Sequence, residues 1–397
     1  MRQDCFVVHY HEIALKGQNR VFFERKLRQN ILWTAGKLGI REVRLLRGRI
    51  LVFPAAQYDI DGLIAALKNV FGIAYFAPAY KAAQDPDAIT EIALKLADSH
   101  TFSSFRISTQ RAKKTFPMGS VQLNSHIGTL VQKKTGARVD LKKAEFTIFI
   151  EIFDSDAILY CERIEGAGGL PVGVSNTAAV LLSSGIDSPV AAYKIMRRGV
   201  NLVFVHFHSM PVTSAASVEN TKRLVQRLAR HQKKAKLYLV PFLEIQQHIT
   251  SLTPPSYRVL LYRRMMMRIA EKFAFKNKGK ALVTGENVGQ VASQTLPNML
   301  AINEVAHLPV LRPLAGDDKQ DIINFAQKIG TFAISIEPYD DCCSLFVPDN
   351  PETSAKPDKI MEYEQNLPID QLVKTAVKET EMIILGKNGK DSAKQNG

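Results

Sequence analysis

The apolar positions of the chain change period along its length, and the changes divide it into three stretches. In the first, Asp4 to His9 reads as a strand and Arg20 to Leu38 as an amphipathic helix. That helix keeps Phe22, Phe23, Leu27, Ile31 and Leu32 apolar and turns Arg25, Lys26 and Arg28 outward. Arg44 to Phe53 predicts one further strand, which completes a compact α+β unit over residues 1–60. The second stretch, 61–165, predicts helices at Leu63 to Val70, Ala88 to Ala97 and Ser120 to Lys134. They alternate with strands at Ile73 to Tyr80, Ser104 to Gln110 and Phe146 to Phe153, followed by Ala157 to Arg163. Gly166 to Gly173 is rich in glycine and proline and reads as a hinge within a linker over 166–177.

The third stretch, 178–385, differs in kind. Strands are predicted at Ala178 to Leu182, Asn201 to His206, Lys236 to Pro241 and Ala281 to Thr284, with helices at Val218 to Arg230 and Ser256 to Phe275. This is the βαβ rhythm of an α/β doubly wound parallel sheet, which holds its ligands at the carboxyl ends of the strands. A polar tail, 386–397, follows.

The sharpest chemistry sits where the first of these strands runs out. Leu181-Leu182-Ser183-Ser184-Gly185-Ile186-Asp187-Ser188-Pro189 reads as strand, phosphate loop and helix. Asp187 or Ser188 is expected to cap that helix, with Pro189 at its first position, where a missing N–H costs nothing. A Ser/Gly turn at the positive end of a helix dipole leaves backbone amides free for an anion, here phosphate or pyrophosphate. No lysine follows Gly185, so the loop is not of the GxxxxGK[ST] type. It resembles the SGGxDS loop of enzymes that cleave ATP between its α and β phosphates. Ser184 stands where that pattern has glycine, which predicts crowding of the phosphate or a positive φ on a residue with a Cβ.

Charge adds a polyanionic partner. The 397 residues carry a formal charge of +14 with a pI near 9.5, on an ordinary globular composition of 46% hydrophobic residues. The surplus concentrates in Arg106, Arg111, Lys113, Lys114, Lys133, Lys134, Arg138, Lys142 and Lys143, opposed by Asp140 alone. Phe116, close to Lys113 and Lys114, is expected to stack on a base or ribose while the lysines hold the backbone. A second basic run, Lys222 to Lys236, is either part of that surface or a solvated helix face. No apolar run reaches spanning length and Met1 to Tyr10 lacks a signal pattern, so a cytoplasmic protein without a membrane partner is expected.

Other candidates follow the strand ends. His206 and His208 lack further metal-ligand spacing, so no metal site is predicted. Among Arg258, Arg263, Arg264 and Arg268, one arginine is expected to turn toward phosphate, while Met265, Met266 and Met267 fill core. Lys319, at the start of a helix opened by Asp317 and Asp318, is within reach of phosphate or simply exposed. Four cysteines, Cys5, Cys161, Cys342 and Cys343, are too few for a disulfide framework. The adjacent pair Cys342-Cys343, in a predicted loop, reads as a nucleophilic or sulfur-carrying thiol or as a chance pair.

Taken together, ordered matches from about Tyr10 to Pro351 resemble the tRNA 4-uridine sulfurtransferase (4-thiouridine synthetase) family. They include Glu12-Ile13-Ala14-Leu15-Lys16-Gly17, Phe116-Pro117-Met118, Gly168 to Gly173, Leu182 to Tyr193, Val205 to Ser209 and Tyr262 to Met266. Val283 to Glu286, Gly289 to Leu296, Asn303 to Val305, Leu308 to Leu314 and Asp341-Cys342-Cys343 complete them. The resemblance implies a ferredoxin-like domain, a THUMP domain that holds tRNA, and a pyrophosphate-loop catalytic domain. It places ATP, with Mg2+, around Leu181, Leu182, His206, Phe207, Arg263, Gly285 and Gln294, with Ser183, Ser184, Gly185, Asp187 and Ser188 on the phosphates. It makes Cys343 the carrier of transferable sulfur.

The implied reaction is adenylation of the C4 oxygen of uridine 8 followed by substitution with sulfur, with sulfur transfer to a thiamine sulfur-carrier protein as a second role. The resemblance is to the form of the family without a rhodanese-like domain, which implies that a cysteine desulfurase loads Cys343 directly. A homodimer is a further partner state to test. Two other readings stand beside this one: a tRNA-binding protein whose nucleotide domain no longer turns over, made conceivable by Ser184, and an amide-forming ligase on the same loop.

Overall fold

The structure, a computed structural model, describes residues 3–112, 115–338, 346 and 350–386, and the backbone of 392–394. It divides into two compact units, Met1–Pro171 and Val172–Gly397.

The first unit contains β1 (Cys5–His9), α1 (Arg20–Ala35), β2 (Ile40–Leu46), β3 (Arg49–Pro54), α2 (Ile60–Lys68), β4 (Tyr75–Ala82) and α3 (Pro86–Asp98). It continues with β5 (Ser104–Arg111), α4 (Ser120–Thr135), β6 (Arg138–Val139), β7 (Phe146–Ile152), β8 (Ala157–Tyr160) and β9 (Ile164–Glu165). The strands form one sheet in the order β2-β3-β1-β4-β8-β7-β5-β6, with β9 beside β4. β4 belongs to both halves of this sheet, pairing β1 through Phe6 and Pro78 and β8 through Tyr80 and Leu159.

The single strand expected over Arg44 to Phe53 is in fact a hairpin. Leu46 pairs with Arg49, so Arg47 and Gly48 make a two-residue turn, and Gly48 supplies the φ of +88° that such a turn demands. In α1 the expected apolar face is only partly buried: Leu27 and Ile31 are in the core, whereas Phe22 and Leu32 are exposed.

The second unit holds β10 (Thr177–Leu181), α5 (Asp187–Met196), β11 (Asn201–His208), α6 (Ala216–Leu228), β12 (Ala235–Pro241), α7 (Leu243–Leu252), α8 (Arg258–Lys276) and β13 (Leu282–Val283). After these come α9 (Leu296–Asn303), β14 (Val310–Leu311), α10 (Lys319–Ile329), α11 (Phe332–Ser335), α12 (Pro357–Gln365), α13 (Ile369–Glu379), β15 (Glu381–Leu385) and β16 (Ser392–Lys394). The sheet order is β14-β13-β10-β11-β12-β15-β16. Its first five strands are parallel, as the α/β reading expects, and β15 and β16 close the far edge antiparallel.

Strand β10 is an apolar run because helices cover both faces: Ala178, Ala179 and Val180 are all buried. Chain order runs outward from β10 to β11 and β12 on one side and returns to β13 on the other. A crevice therefore opens beyond the carboxyl ends of β10 and β13, where doubly wound sheets bind ligands.

Helix α8 packs into the core through Leu260, Leu261, Met265, Met267 and Phe273. Its Arg264, only 3% exposed, is not turned to a ligand. It is bonded to Glu364 at 2.7 Å and to Glu304 at 2.9 Å, and Arg268 shares the same Glu364 at 2.6 Å. Among the described residues, no helix is long and apolar enough to cross a membrane.

Candidate active site

The loop from Ser183 to Ser188 is closed by its own hydroxyls. The Ser183 amide donates to Ser188 Oγ at 2.9 Å, Ser188 Oγ donates to the Ser183 carbonyl at 3.1 Å, and the Gly185 amide reaches Ser183 Oγ at 3.3 Å. Ser335 fastens the outside of the turn by donating to the Gly185 carbonyl at 3.1 Å. This corrects the expected helix start. Helix α5 begins at Asp187, Ile186 is the residue before it, no side chain caps it, and Pro189 is its third residue. Ser188 is occupied by the loop, so the first-turn amides of α5 are left to an anion.

Ser184 also departs from expectation. It has no left-handed φ, is 1% exposed, and its Oγ lies 3.2 Å from Ser217 Oγ on α6. Ser217 in turn lies 3.3 Å from His206 Nε2, and His206 Nδ1 sits 2.9 Å from the Leu182 carbonyl. The added hydroxymethyl thus joins a buried polar chain behind the loop instead of crowding the phosphate side.

A cavity of about 330 Å3 opens at the switch point. Leu181, Leu182, Ser183, Gly185, Asp187, Ser188, His206, Phe207, Arg263, Gly285 and Gln294 all line it, which brings together every expected nucleotide residue except Ser184. Thr284 and Glu286, at the strand end where a nucleotide is expected, line it too, and Met266, Met267, Val291 and Ile302, which the sequence does not mark for the site, complete the wall. Met266 and Met267 are buried, as core methionines are expected to be, and they also form the apolar side of this cavity.

Gly285 lets β13 meet α5. A Cβ there would lie 2.7 Å from the Ser188 nitrogen, 2.8 Å from its Cα and 3.0 Å from the Asp187 carbonyl carbon, all of them backbone atoms. At the mouth, Asp187 accepts from Lys319 Nζ at 2.5 Å and from Gln290 Nε2 at 3.0 Å. Lys319, the first residue of α10, is therefore held beside the loop.

Deeper in, Glu286 accepts from Arg263 at 2.7 Å, from Arg312 Nε at 2.7 Å and from Thr284 Oγ1 at 2.9 Å. Burial works to raise its pKa, but the two guanidiniums more than offset it and hold the group below the usual carboxylate range.

The expected RNA residues separate into groups. Lys133, Lys142 and Lys143 are exposed, while Lys134 is paired with Asp98. Arg106 donates to Thr147 at 3.1 Å, and Arg111 is tied to the Met118 carbonyl at 2.9 Å. Phe116 is corrected: it is 5% exposed, in a core with Leu123 and Ile127, and cannot stack on a base. Lys113, Lys114, Cys342 and Cys343 lie outside the described residues. Of the other two thiols, Cys5 is buried, with its pKa pushed up to about 12, and half-buried Cys161 is also raised by burial. Neither is poised as a nucleophile.

A hydroxyl-closed anion loop at the switch point of a doubly wound sheet, facing an apolar wall, defines a domain of the pyrophosphate-loop class. Comparison with known proteins agrees throughout the chain. The thiamine biosynthesis protein (ThiI) pattern matches residues 173–369, the ThiI ferredoxin-like domain 5–77, and the THUMP domain 83–162. A "probable tRNA sulfurtransferase" of Thermus thermophilus is 44% identical over 94% of this chain and 92% of its own length. One from Staphylococcus epidermidis is 38% identical over 100% of this chain and 98% of its own. A crystal structure of a 4-thiouridine synthetase in complex with RNA and with ATP bound superposes with a TM-score of 0.88 at 34% identity, covering 97% of this chain and 100% of that one. The chain belongs to the tRNA sulfurtransferase (ThiI) family, with ferredoxin-like, THUMP and pyrophosphate-loop domains in that order.

Proposed function

We propose that the chain binds ATP in the cavity between β10 and β13 and uses it to replace O4 of uridine 8 in tRNA with sulfur, giving 4-thiouridine. The carrying observation is that loop, Gly285 and apolar wall converge on one cavity at the switch point. A relative of known structure, complexed with RNA and ATP, shares the whole fold.

The amides of the loop and of the uncapped first turn of α5 take the phosphate oxygens, and Phe207, Met266, Met267 and Ile302 offer an adenine ring its apolar surface. Magnesium fits this arrangement as a companion of the nucleotide. Among the described residues no group of three or more His, Cys, Asp or Glu side chains forms a protein cage, and Asp187 supplies the one carboxylate at the phosphate loop. The ion would neutralise phosphate charge there. Lys319, held 2.5 Å from Asp187, is placed to meet the pyrophosphate as it leaves.

Attack of O4 on the α-phosphorus breaks the α–β bond and releases pyrophosphate, which turns a poor leaving group into AMP. The terminal sulfur of a persulfide on Cys343 then adds to C4 and AMP departs. A second thiol, from Cys342 or a soluble reductant, attacks the Cys343 sulfur. That leaves sulfur on C4 and a disulfide at Cys343, which is reduced before the next turnover. A cysteine desulfurase supplies the persulfide, and the same persulfide serves a thiamine sulfur-carrier protein, in keeping with the family's thiamine pattern. The exposed Lys133, Lys142 and Lys143 contact the tRNA backbone. Ser184 gives no ground for an inactive nucleotide site, because its side chain lies behind the loop.

The test is isotopic. With tRNA carrying 18O at O4 of uridine 8, one label per 4-thiouridine must appear in the phosphate of AMP. Label recovered in water or inorganic phosphate, with unlabelled AMP, would overturn adenylation.

A further inference from the structure

Glu286, in the cavity wall, is met by more positive charge than it neutralises. Two arginines, Arg263 from α8 and Arg312 from the segment after β14, converge on the single carboxylate of Glu286, which is 3% exposed. Thr284 donates to the same carboxylate at 2.9 Å, and Asn303 accepts from Arg312 at 3.2 Å. One unit of positive charge remains. Two of the buried guanidinium nitrogens, Arg263 Nε and Arg312 Nη2, have no hydrogen-bond partner. Arg263 lines the cavity, and among the described residues the one hydrogen bond of its side chain is the 2.7 Å contact to Glu286.

We propose that Glu286 is a positioning residue for nucleotide binding: it fixes Arg263 at one guanidinium nitrogen so that the remaining donors are presented to an oxyanion of the nucleotide, with Arg312 as the second cation that keeps the cluster net positive. The inference rests on the nucleotide reading of the cavity. Glu286 itself is not an acid or base here, because the two arginines keep it ionised. It acts through Arg263, whose planar fork suits phosphate only when its plane is held.

This separates the proposal from a purely structural salt bridge. A carboxylate that only stabilises the fold contributes to melting temperature and leaves nucleotide affinity alone. A positioning carboxylate contributes to affinity only while Arg263 is present, and Arg312, which does not line the cavity, also contributes by charge.

The experiment is a binding cycle on the full chain, reading the Kd for ATP by titration calorimetry and the melting temperature of each variant. The variants are Glu286→Gln, Arg263→Gln, their double, and Arg312→Gln. Glu286→Gln adds one unit of positive charge but releases the plane of Arg263, and the loss of the held fork outweighs the added charge, so ATP is expected to bind about ten- to a hundredfold more weakly. In the Arg263→Gln background the same change should add less than about twofold, since interacting residues are non-additive. Arg312→Gln should weaken ATP several-fold.

Multiplicative losses from Glu286→Gln and Arg263→Gln, or a wild-type Kd for Glu286→Gln with only a lowered melting temperature, would overturn the proposal. If Glu286→Gln does not fold, Glu286→Asp replaces it: the retracted carboxylate should weaken ATP in the parent and not in Arg263→Gln. Failure of the parent protein to bind ATP would sink the nucleotide reading itself, which is a different outcome from a parent that binds while the variants do not differ.

Discussion

Gly285→Ala is the most informative single substitution in the catalytic unit. The added Cβ would stand 2.7 Å from the Ser188 nitrogen and 2.8 Å from its Cα. Ordinary contact needs about 3.5 Å, so β13 and the start of α5 must separate by roughly 0.7–0.8 Å, and no side-chain rotation relieves backbone against backbone. Overpacking of this kind costs about 1–3 kcal/mol of stability. The larger effect is positional, because Ser188 closes the loop onto Ser183 and its displacement moves the amides meant for phosphate. A shift near 1 Å at a reacting centre costs about a hundredfold. Steady-state thiolation of tRNA with ATP varied should therefore show kcat/KM for ATP down by about two orders of magnitude, beside a modest fall in melting temperature. A variant with the parent kcat/KM would show that the approach of β13 to α5 does not set the loop.

Further predictions test single residues. Ser184→Gly should leave KM for ATP within about twofold and cost about 1 kcal/mol of stability, the size of a lost buried hydrogen bond; a large gain in ATP affinity would revive the crowding idea. Lys319→Ala should lower kcat by tenfold or more while ATP still binds, and an unchanged kcat would remove Lys319 from pyrophosphate departure. Phe116→Ala should destabilise the first unit by about 3–5 kcal/mol, while Lys142→Ala with Lys143→Ala should spare stability and reduce the salt slope of tRNA binding by about one per charge. Glu364 supplies a pH dependence. Burial opposes its ionisation, but bonds from Arg264 and Arg268 hold it down at about 2, against an unfolded value near 4.5. The stabilisation is thus complete above pH 4.5 and is lost as pH falls toward 2; it amounts to at most about 3 kcal/mol, and Glu364→Gln should flatten that part of the acid-unfolding curve.

The parts of this molecule that were legible in the sequence are those whose chemistry is contiguous. Ser183 to Ser188 carry the phosphate loop in six consecutive residues, and the apolar run before them declares a strand covered on both faces. The Glu286 cluster was not legible, since its arginines lie 23 and 26 residues away on different elements, and only the fold brings them to one carboxylate. Phe116 misled because an aromatic among lysines has the same sequence signature whether it is turned out to a base or, as here, drawn into the core beside Leu123. Arg44 to Phe53 hid a hairpin because its two-residue turn, Arg47-Gly48, is short enough to read as part of one strand. Ser184 was misjudged because a loop pattern gives residue types, whereas the direction of its Cβ toward Ser217 is set by α6.

The central claim is that loop and thiol act in one ATP-dependent reaction on tRNA, and nucleoside mass spectrometry tests it most directly. Unmodified tRNA is incubated with the protein, ATP, magnesium, cysteine and a cysteine desulfurase, beside Cys343→Ser and Asp187→Ala variants that bind tRNA normally. The account predicts 4-thiouridine with the parent chain and none with either variant. A parent that binds tRNA yet makes none, while a homologue active in the same mixture does, would contradict it, as would full activity in either variant.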